Sequence, residues 1–395
     1  MLLNTEDFRC RARKHLPRFV FDYIEGAADD GHCLRRNLGD LAAMALTPRV
    51  LRDTTAVDTS IEVFGRRWAL PFGIAPTGLN GLVRPRGDGL LATAASRRGI
   101  PFALSTASNM RLEDVRAAAP ESVQWMQLYV MHRDMAGQIV ERAARAKYEA
   151  LILTVDVPVS GNREADLRNG FRIPFKPTAK LAWDVITHPR WSMRMLPGGA
   201  PEFANLTATG GKAGSANMQA ALLSRAMDRS LVWETLAWLR GLWQGPLLLK
   251  GILHPDDARL ALDHGVDGLI VSNHGGRQND ASPSAISALP RVVAAINGRI
   301  PVFMDGGIRR GGDIAKALAL GATAAFVGRP ALYGLAANGA EGAEAVIGLL
   351  AAELVRSMTL LGATSASALP GALESTNSSL ACSQAWTAVS LPHFV

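Results

Sequence analysis

PLLLKGILHPDDARLALDHGVDGLIVSNHGG, residues 246–276, carries the reading on which the fold turns. It opens with a short apolar run, PLLLK (246–250), bounded by turn residues as a buried strand of a parallel sheet is. Helical apolar spacing follows over 255–264, and then a second buried run, DGLIVS (267–272). Strand, helix and strand in about thirty residues make one βαβ unit, whose two strands must run parallel.

The same unit recurs on both sides. Upstream lie PFGIAP (71–76), PFALS (101–105), VQWMQLY (123–129) and ALILTV (150–155); downstream lie IPVFMD (300–305) and TAAFVG (323–328). Helical spacing over 86–98, 134–147 and 312–320 separates several of them. Eight such units predict an α/β fold, a closed (β/α)8 TIM barrel over about 70–340. Two helix-like segments at 5–15 and 18–26 read as an N-terminal helical cover, and the whole chain, 1–395, as a single domain. A long insertion, about 161–245, separates the fourth and fifth strands, well past the roughly 12–15 residues usual for a structureless loop. The Ser-, Ala- and Thr-rich tail after Gly362 either wraps the barrel or frays.

Composition narrows the class. No stretch reaches the roughly 20 apolar residues that cross a bilayer, and MLLNTEDFRCRARKHLPRF at the start has no apolar signal core, so a cytoplasmic protein is expected. Cys10, Cys33 and Cys382 lie far apart without ligand spacing, which supports neither a disulfide framework nor a metal site. The formal charge of +7 comes with no nucleic-acid motif, so anionic small molecules or a membrane are the better partners.

In this fold active sites form at the C-terminal ends of the strands. The eight runs end, in order, in Thr77-Gly78, Ser105, Gln127 and Tyr129, Thr154 and Asp156, Lys250, Ser272 to Arg277, Asp305-Gly306-Gly307 with Arg309, and Gly328-Arg329. Glycines after the last two runs let backbone N–H groups approach an anion, and Arg309 and Arg329 add fork-shaped donors, which implies a phosphate-bearing cofactor. The alternative is a pair of tight turns with solvated arginines. His274, three residues from Arg277, has the chemistry to take a proton beside a bidentate carboxylate clamp. Asp156 is a candidate to orient that imidazole, or else a helix cap or ion-pair partner. Lys250, after Leu247-Leu248-Leu249, is placed to stabilise negative charge on a reduced cofactor.

SNHGGRQ at 272–278, with the strand ends above, closely resembles the FMN-dependent 2-hydroxy acid oxidase and dehydrogenase family, over about 6–337. The resemblance implies FMN as cofactor. It places Thr77, Gly78, Ser105, Gln127, Thr154, Lys250 and Ser272 around the flavin, and Asp305, Gly307, Arg309, Gly328 and Arg329 at the ribityl phosphate. Tyr23, Arg163 and Arg277 would bind the substrate carboxylate, Tyr129 its hydroxyl, with His274 as base and Asp156 as its partner. PTGLNG (76–81), with Gly78 where many relatives have alanine, STASN (105–109) and HPRWS (188–192) are most similar to the branch that oxidises mandelate. The implied reaction is FMN-dependent oxidation of (S)-mandelate or a related aromatic 2-hydroxy acid to the 2-keto acid, with electrons passed to a membrane quinone. Lactate or glycolate oxidation within the family, or an FMN-barrel isomerase or reductase, is the alternative. The resemblance also implies a homotetramer.

Within the insertion, the segment 176–215 interleaves Lys176, Lys180, Arg190, Arg194 and Lys212 with Trp183, Trp191, Met193, Met195 and Leu196. Basic and interfacial aromatic residues together suit peripheral attachment to an anionic membrane, here the inner face of the cell membrane. A mobile active-site lid is the other reading.

Overall fold

Each apolar run becomes a strand whose side chains are buried on both faces, because one face meets the barrel interior and the other the surrounding helices. In the computed structural model, which describes residues 1–171, 178–196, 202–207 and 228–372, these strands are β3 (Phe72–Ile74), β4 (Phe102–Ser105), β5 (Gln124–Leu128), β6 (Ala150–Thr154), β7 (Leu247–Ile252), β8 (Gly268–Val271), β9 (Val302–Asp305) and β10 (Ala324–Val327). All pair in parallel in chain order, and β10 closes on β3. The barrel expected from the sequence is therefore the fold observed.

A hairpin that the apolar runs did not reveal, β1 (Ile61–Val63) and β2 (Arg66–Trp68), precedes the barrel. It delivers Trp68 into the barrel interior, where the ring lies 5.3 Å from Trp125 and 6.1 Å from Phe303. Trp125, Phe303 and Phe326 fill the rest of that layer with Ile152, Leu248 and Ile270, so the interior is packed and not a pore. The opposite end of the barrel is left for chemistry.

The strand register decides which site residues stand side by side. Ser105 is level with Gln127, Thr154 with Lys250, and Asp305 with Phe326. β7 is irregular between Lys250 and Ile252, at Gly251 (φ +112°). A Cβ there would lie 2.5 Å from the Cβ of Asp156, so only glycine lets the Asp156 loop pass this close.

The N-terminal cover has three helices, not two: α1 (Thr5–His15), α2 (Arg18–Glu25) and α3 (His32–Ala43). α3 was missed because HCLRRNLGDLAA carries adjacent arginines and a glycine that blur its apolar stripe; only Cys33, Asn37 and Leu41 of it are buried. It packs under the loops that follow β8 and β9. A Cβ on Gly276 would lie 2.6 Å from the Leu34 nitrogen, and one on Gly307 2.4 Å from the Asn37 oxygen.

At the other end the chain runs past the expected limit near 340. The helix Arg329–Leu361 breaks its geometry at Asn338 and Gly339, resumes, and packs along α1. Residues 366–372 then wrap back as a 3₁₀ helix, with the Thr47 N–H bonded to the Ala372 carbonyl. The tail beyond 372, with Cys382, lies outside the described residues, as do Lys176, Lys212 and Gly214 of the insertion. Its described parts include helices Glu164–Arg168, Ala179–Ile186 and Pro189–Met195. Asp184 caps α2 by accepting from the Arg18 and Phe19 N–H groups, and the Trp191 indole donates to the Leu82 carbonyl.

Trp68 is fully buried and contributed from outside the barrel, so its loss should open the end of the interior opposite the strand termini. Trp68→Ala is expected to cost about 3–5 kcal/mol in urea unfolding while leaving the strand-end loops in place; a change under 1 kcal/mol would show that the hairpin is not part of the core.

Candidate active site

At the C-terminal ends of the strands a cavity of about 370 Å³ opens. Of the residues singled out from the sequence, Tyr23, Thr77, Gly78, Ser105, Tyr129, Arg163, Lys250, His274, Arg277, Asp305, Gly307, Arg309, Gly328 and Arg329 line it. Gln127, Thr154, Asp156 and Ser272 stand immediately behind and hold the lining in place. Gln127 accepts from the Ser105 hydroxyl (3.1 Å) and donates to that of Thr154 (2.9 Å). Ser272 accepts from the Lys250 ammonium at 2.7 Å.

His274 sits at φ +59° in the glycine-flanked turn after β8, its N–H bonded to the Ser272 hydroxyl. Its Nδ1 lies 3.1 and 3.2 Å from the two Asp156 oxygens, and its Nε2 3.3 Å from the Tyr129 hydroxyl. With Nδ1–H donating to the carboxylate, Nε2 keeps its lone pair toward the cavity side, where Tyr129 stands. Burial pushes the Asp156 carboxyl up, but the charge and hydrogen bond of His274, aided by Lys250, outweigh it and hold it below the usual range. Asp156 therefore stays ionised and favours a charged imidazole.

Lys250 and Asp305 form a buried ion pair at 2.9 Å. Burial disfavours the ammonium, yet the carboxylates of Asp305 and Asp156 raise the Lys250 pKa overall, so it stays charged. The Oδ1 of Asp305 is buried with no hydrogen-bond partner among the described residues. Such an atom calls for a donor, which the hydroxyls of a ribityl chain supply and a phosphate does not.

The part of the cavity lined by Arg309 and Arg329 is cationic. Arg329, the first residue of its helix, is buried and held by the carbonyls of Ile24, Gly26 and Gly275. Burial, then repulsion from Arg309 and Arg277, lowers its pKa to about 9. A guanidinium held there against its own repulsion is a site prepared for an anion. Gly306 and Gly307, at φ +96° and +86°, form the turn after β9 and line the same cavity. The residues present thus fit FMN at both its ring and phosphate ends.

The groups expected at the substrate carboxylate converge from three elements. The Arg277 guanidinium donates to the carbonyls of Tyr23 and Gly26 at 2.7 Å and lies over the Tyr23 ring. Arg163 reaches the same cavity from the insertion. The cavity also has an apolar lining absent from the sequence reading, from Phe171, Phe203, Leu167 and Ala107, and the Phe171 ring lies 5.1 Å from that of Tyr23. Phe171 and Phe203 come from the insertion, where no spacing signal marks them. Asp166 was also missed, although it follows Arg163 by one helical turn. At Gly78 an added Cβ would lie 2.9 Å from the Ala107 methyl, so the small residue at 78 is matched by its neighbour.

A parallel barrel with a flavin-sized, phosphate-ready cavity and a histidine–carboxylate pair defines a class of flavin oxidoreductase, and comparison with known proteins makes the class specific. The model of the FMN-dependent dehydrogenase family matches residues 12–375. The chain is 46% identical to (S)-mandelate dehydrogenase of Pseudomonas putida over 361 residues, 91% of each chain. It is 41% identical to L-lactate dehydrogenase of Alcaligenes faecalis over 94% of this chain and 98% of the other. The crystal structure described as monotopic membrane protein (S)-mandelate dehydrogenase superposes with a TM-score of 0.90 at 45% identity, covering 94% of this chain and 98% of that one. The chain belongs to the FMN-dependent dehydrogenase family. It is an FMN-dependent 2-hydroxy acid dehydrogenase.

The buried pair predicts its own signature. Lys250→Met strands the Asp305 carboxylate and should destabilise the FMN-free protein by about 3–5 kcal/mol in urea unfolding, whereas Lys250→Met with Asp305→Asn should recover most of that loss. Equal losses in the single and double variants would show that the two groups are not coupled.

Proposed function

We propose that this protein oxidises (S)-mandelate or a related aromatic 2-hydroxy acid to the 2-keto acid and passes the electrons to a membrane quinone. The observation that carries the substrate class is the apolar lining of Phe171, Phe203 and Leu167 in the cavity that also holds His274, Arg163 and Arg277. A planar aryl group fits that lining, while a methyl or hydrogen would leave it uncovered.

In this reading Arg163, Arg277 and Tyr23 bind the substrate carboxylate, and the fixed fork of Arg277 orients it. The Tyr129 hydroxyl, already beside His274 Nε2, hydrogen-bonds the substrate hydroxyl. His274 Nε2 takes the proton that the substrate gives up, and Asp156 stabilises the resulting imidazolium. Thr77, Gly78, Ser105, Gln127, Thr154, Lys250 and Ser272 would surround the flavin ring, with Asp305 at the ribityl chain and Gly307, Arg309, Gly328 and Arg329 at the phosphate. FMN, when bound, supplies the two-electron acceptor, and the buried Lys250 ammonium favours the negative charge that it gains.

Membrane attachment belongs to the same reading. Trp183, Ile186, Met193 and Leu196, on or just after the two insertion helices, are 69, 68, 62 and 78% exposed, among Lys180, Arg190 and Arg194. Among the described residues no helix is long and apolar enough to span a bilayer. Exposed apolar side chains ringed by cations suit the interface instead, and the similar structure is described as a monotopic membrane protein. A homotetramer on the inner face of the cell membrane completes the proposal.

Anaerobic mixing of FMN-loaded protein with (S)-mandelate, (S)-lactate and glycolate tests the substrate. Mandelate should bleach the oxidised flavin well ahead of the other two; preference for an aliphatic acid would overturn the aromatic assignment. His274→Ala should keep FMN and lose flavin reduction by about 10²–10⁴-fold or more, and near-normal reduction would remove it from the base role. The protein should sediment with vesicles of anionic phospholipid, and a Trp183→Asp, Ile186→Asp variant should stay in the supernatant with its flavin reduction intact. Recovery of the unaltered protein in the supernatant would defeat the membrane assignment.

A further inference from the structure

Asp166 lies on the short helix Glu164–Arg168, one turn beyond Arg163, and both line the cavity. One oxygen of Asp166, Oδ1, is buried with no hydrogen-bond partner among the described residues, and so is the Nε of Arg163. Buried polar atoms are normally paired, so two incomplete groups in one cavity mark a place finished by a ligand or a proton. A carboxylate is also the wrong group to find in a site built to bind a carboxylate.

The charged neighbours of Asp166 are few. Arg277 faces it from the loop after β8, and Asp22 from α2. Asp22 is already engaged by Arg18 and by the Asn169 amide. Glu164 and Arg168 of the same helix pair with each other, and Lys180 of the insertion is bonded to the Arg168 carbonyl and the Asn169 side chain. Tyr23, from α2, lies under Arg277. Arg277, with Arg163 in the same cavity, is thus a cation that the site presents to both Asp166 and an incoming substrate.

We propose that Asp166 is a positioning residue that takes up a proton from solvent as the substrate carboxylate enters, so that its ionisation sets the affinity of the site for anionic substrates. The inference rests on the reading of Arg163 and Arg277 as the carboxylate clamp. Two carboxylates sharing one partly desolvated set of arginines repel each other, and protonating the resident one leaves the guanidinium charge to the ligand. Burial already raises Asp166 to about 6, with Arg277 opposing and Asp22 adding to the rise. A second anion in the cavity raises it further. Between the free and complexed pKa values one proton is bound per ligand, and each pH unit then weakens binding by up to about tenfold.

Phenylacetate, an aromatic carboxylate with no hydroxyl to oxidise, is the probe. Its dissociation constant for FMN-loaded protein, read from the flavin absorbance change between pH 5.5 and 8, should rise by roughly tenfold or more across that span in the unaltered protein. Asp166→Asn should lack this rise, and Asp166→Glu should restore it. Calorimetric titration in two buffers at about pH 7 should register uptake of close to one proton in the unaltered protein and none by the Asn variant. The KM for mandelate should follow the same pattern with pH, while the kcat profile keeps its shape. An identical slope in the unaltered and Asn proteins, or equal proton uptake, overturns the role of Asp166 and leaves the clamp standing. Absence of saturable phenylacetate binding at every pH overturns the clamp and this inference together.

Discussion

Closure of eight parallel strands is the constraint on which everything else in this protein depends. A parallel strand can reach its neighbour only through a crossover, so every chain exit at one end of the barrel faces the same space. The aromatic layer of Trp68, Trp125, Phe303 and Phe326 keeps the barrel closed and rigid beneath that space. Side chains at consecutive strand ends then meet without adjustment: Ser105 beside Gln127, Thr154 beside Lys250. Rigid placement of this kind is what a site needs when its groups must be held to a fraction of an ångström.

On this ring the charges are sorted. Arg277, Arg309 and Arg329 line the cavity, and Arg329 is buried at a cost to its own charge. Asp156 and Asp305 are each tied to a cation, His274 and Lys250. Arginine charge and paired carboxylates thus meet around one cavity of about 370 Å³. Asp166 is the exception, a carboxylate near the arginines, and exceptions to a sorted pattern are where regulation of affinity is physically available. The insertion adds what the barrel cannot: Arg163 and an apolar lining in the cavity, and exposed Trp183 and Ile186. A single excursion from between β6 and β7 thereby contributes both to the cavity and to an exposed apolar surface.

Much of this was written in local pattern. The eight buried strands, the crossover helices and the strand-end positions of Lys250, His274 and Arg329 follow from short apolar runs bounded by turns, because burial on both faces of a parallel sheet leaves an unbroken apolar signature. The glycines at 275–276 and 306–307 were legible because their left-handed backbone favours glycine. The hairpin β1–β2 was not, since its three-residue strands expose Arg66 and Arg67 and bury only Val63 and Trp68. α3 escaped because it is held by contacts to distant loops, above all the reciprocal amide pair of Asn37 and Asn273 at 2.8 Å, and not by an apolar stripe.

By itself the sequence determined the barrel, its family and the residue types at the strand ends, since these depend on periodicity and on motifs a few residues long. Only the tertiary structure decided that Asp156 reaches His274 past a glycine in β7, that Asp305 pairs with Lys250, and that Phe171 and Phe203 line the same cavity. It also decided that Asp166 shares a cavity with the arginines. The reason is the same in each case: these relations join residues on different βα units or on the insertion, and the distance between such residues is set by barrel closure and packing, which no local pattern encodes.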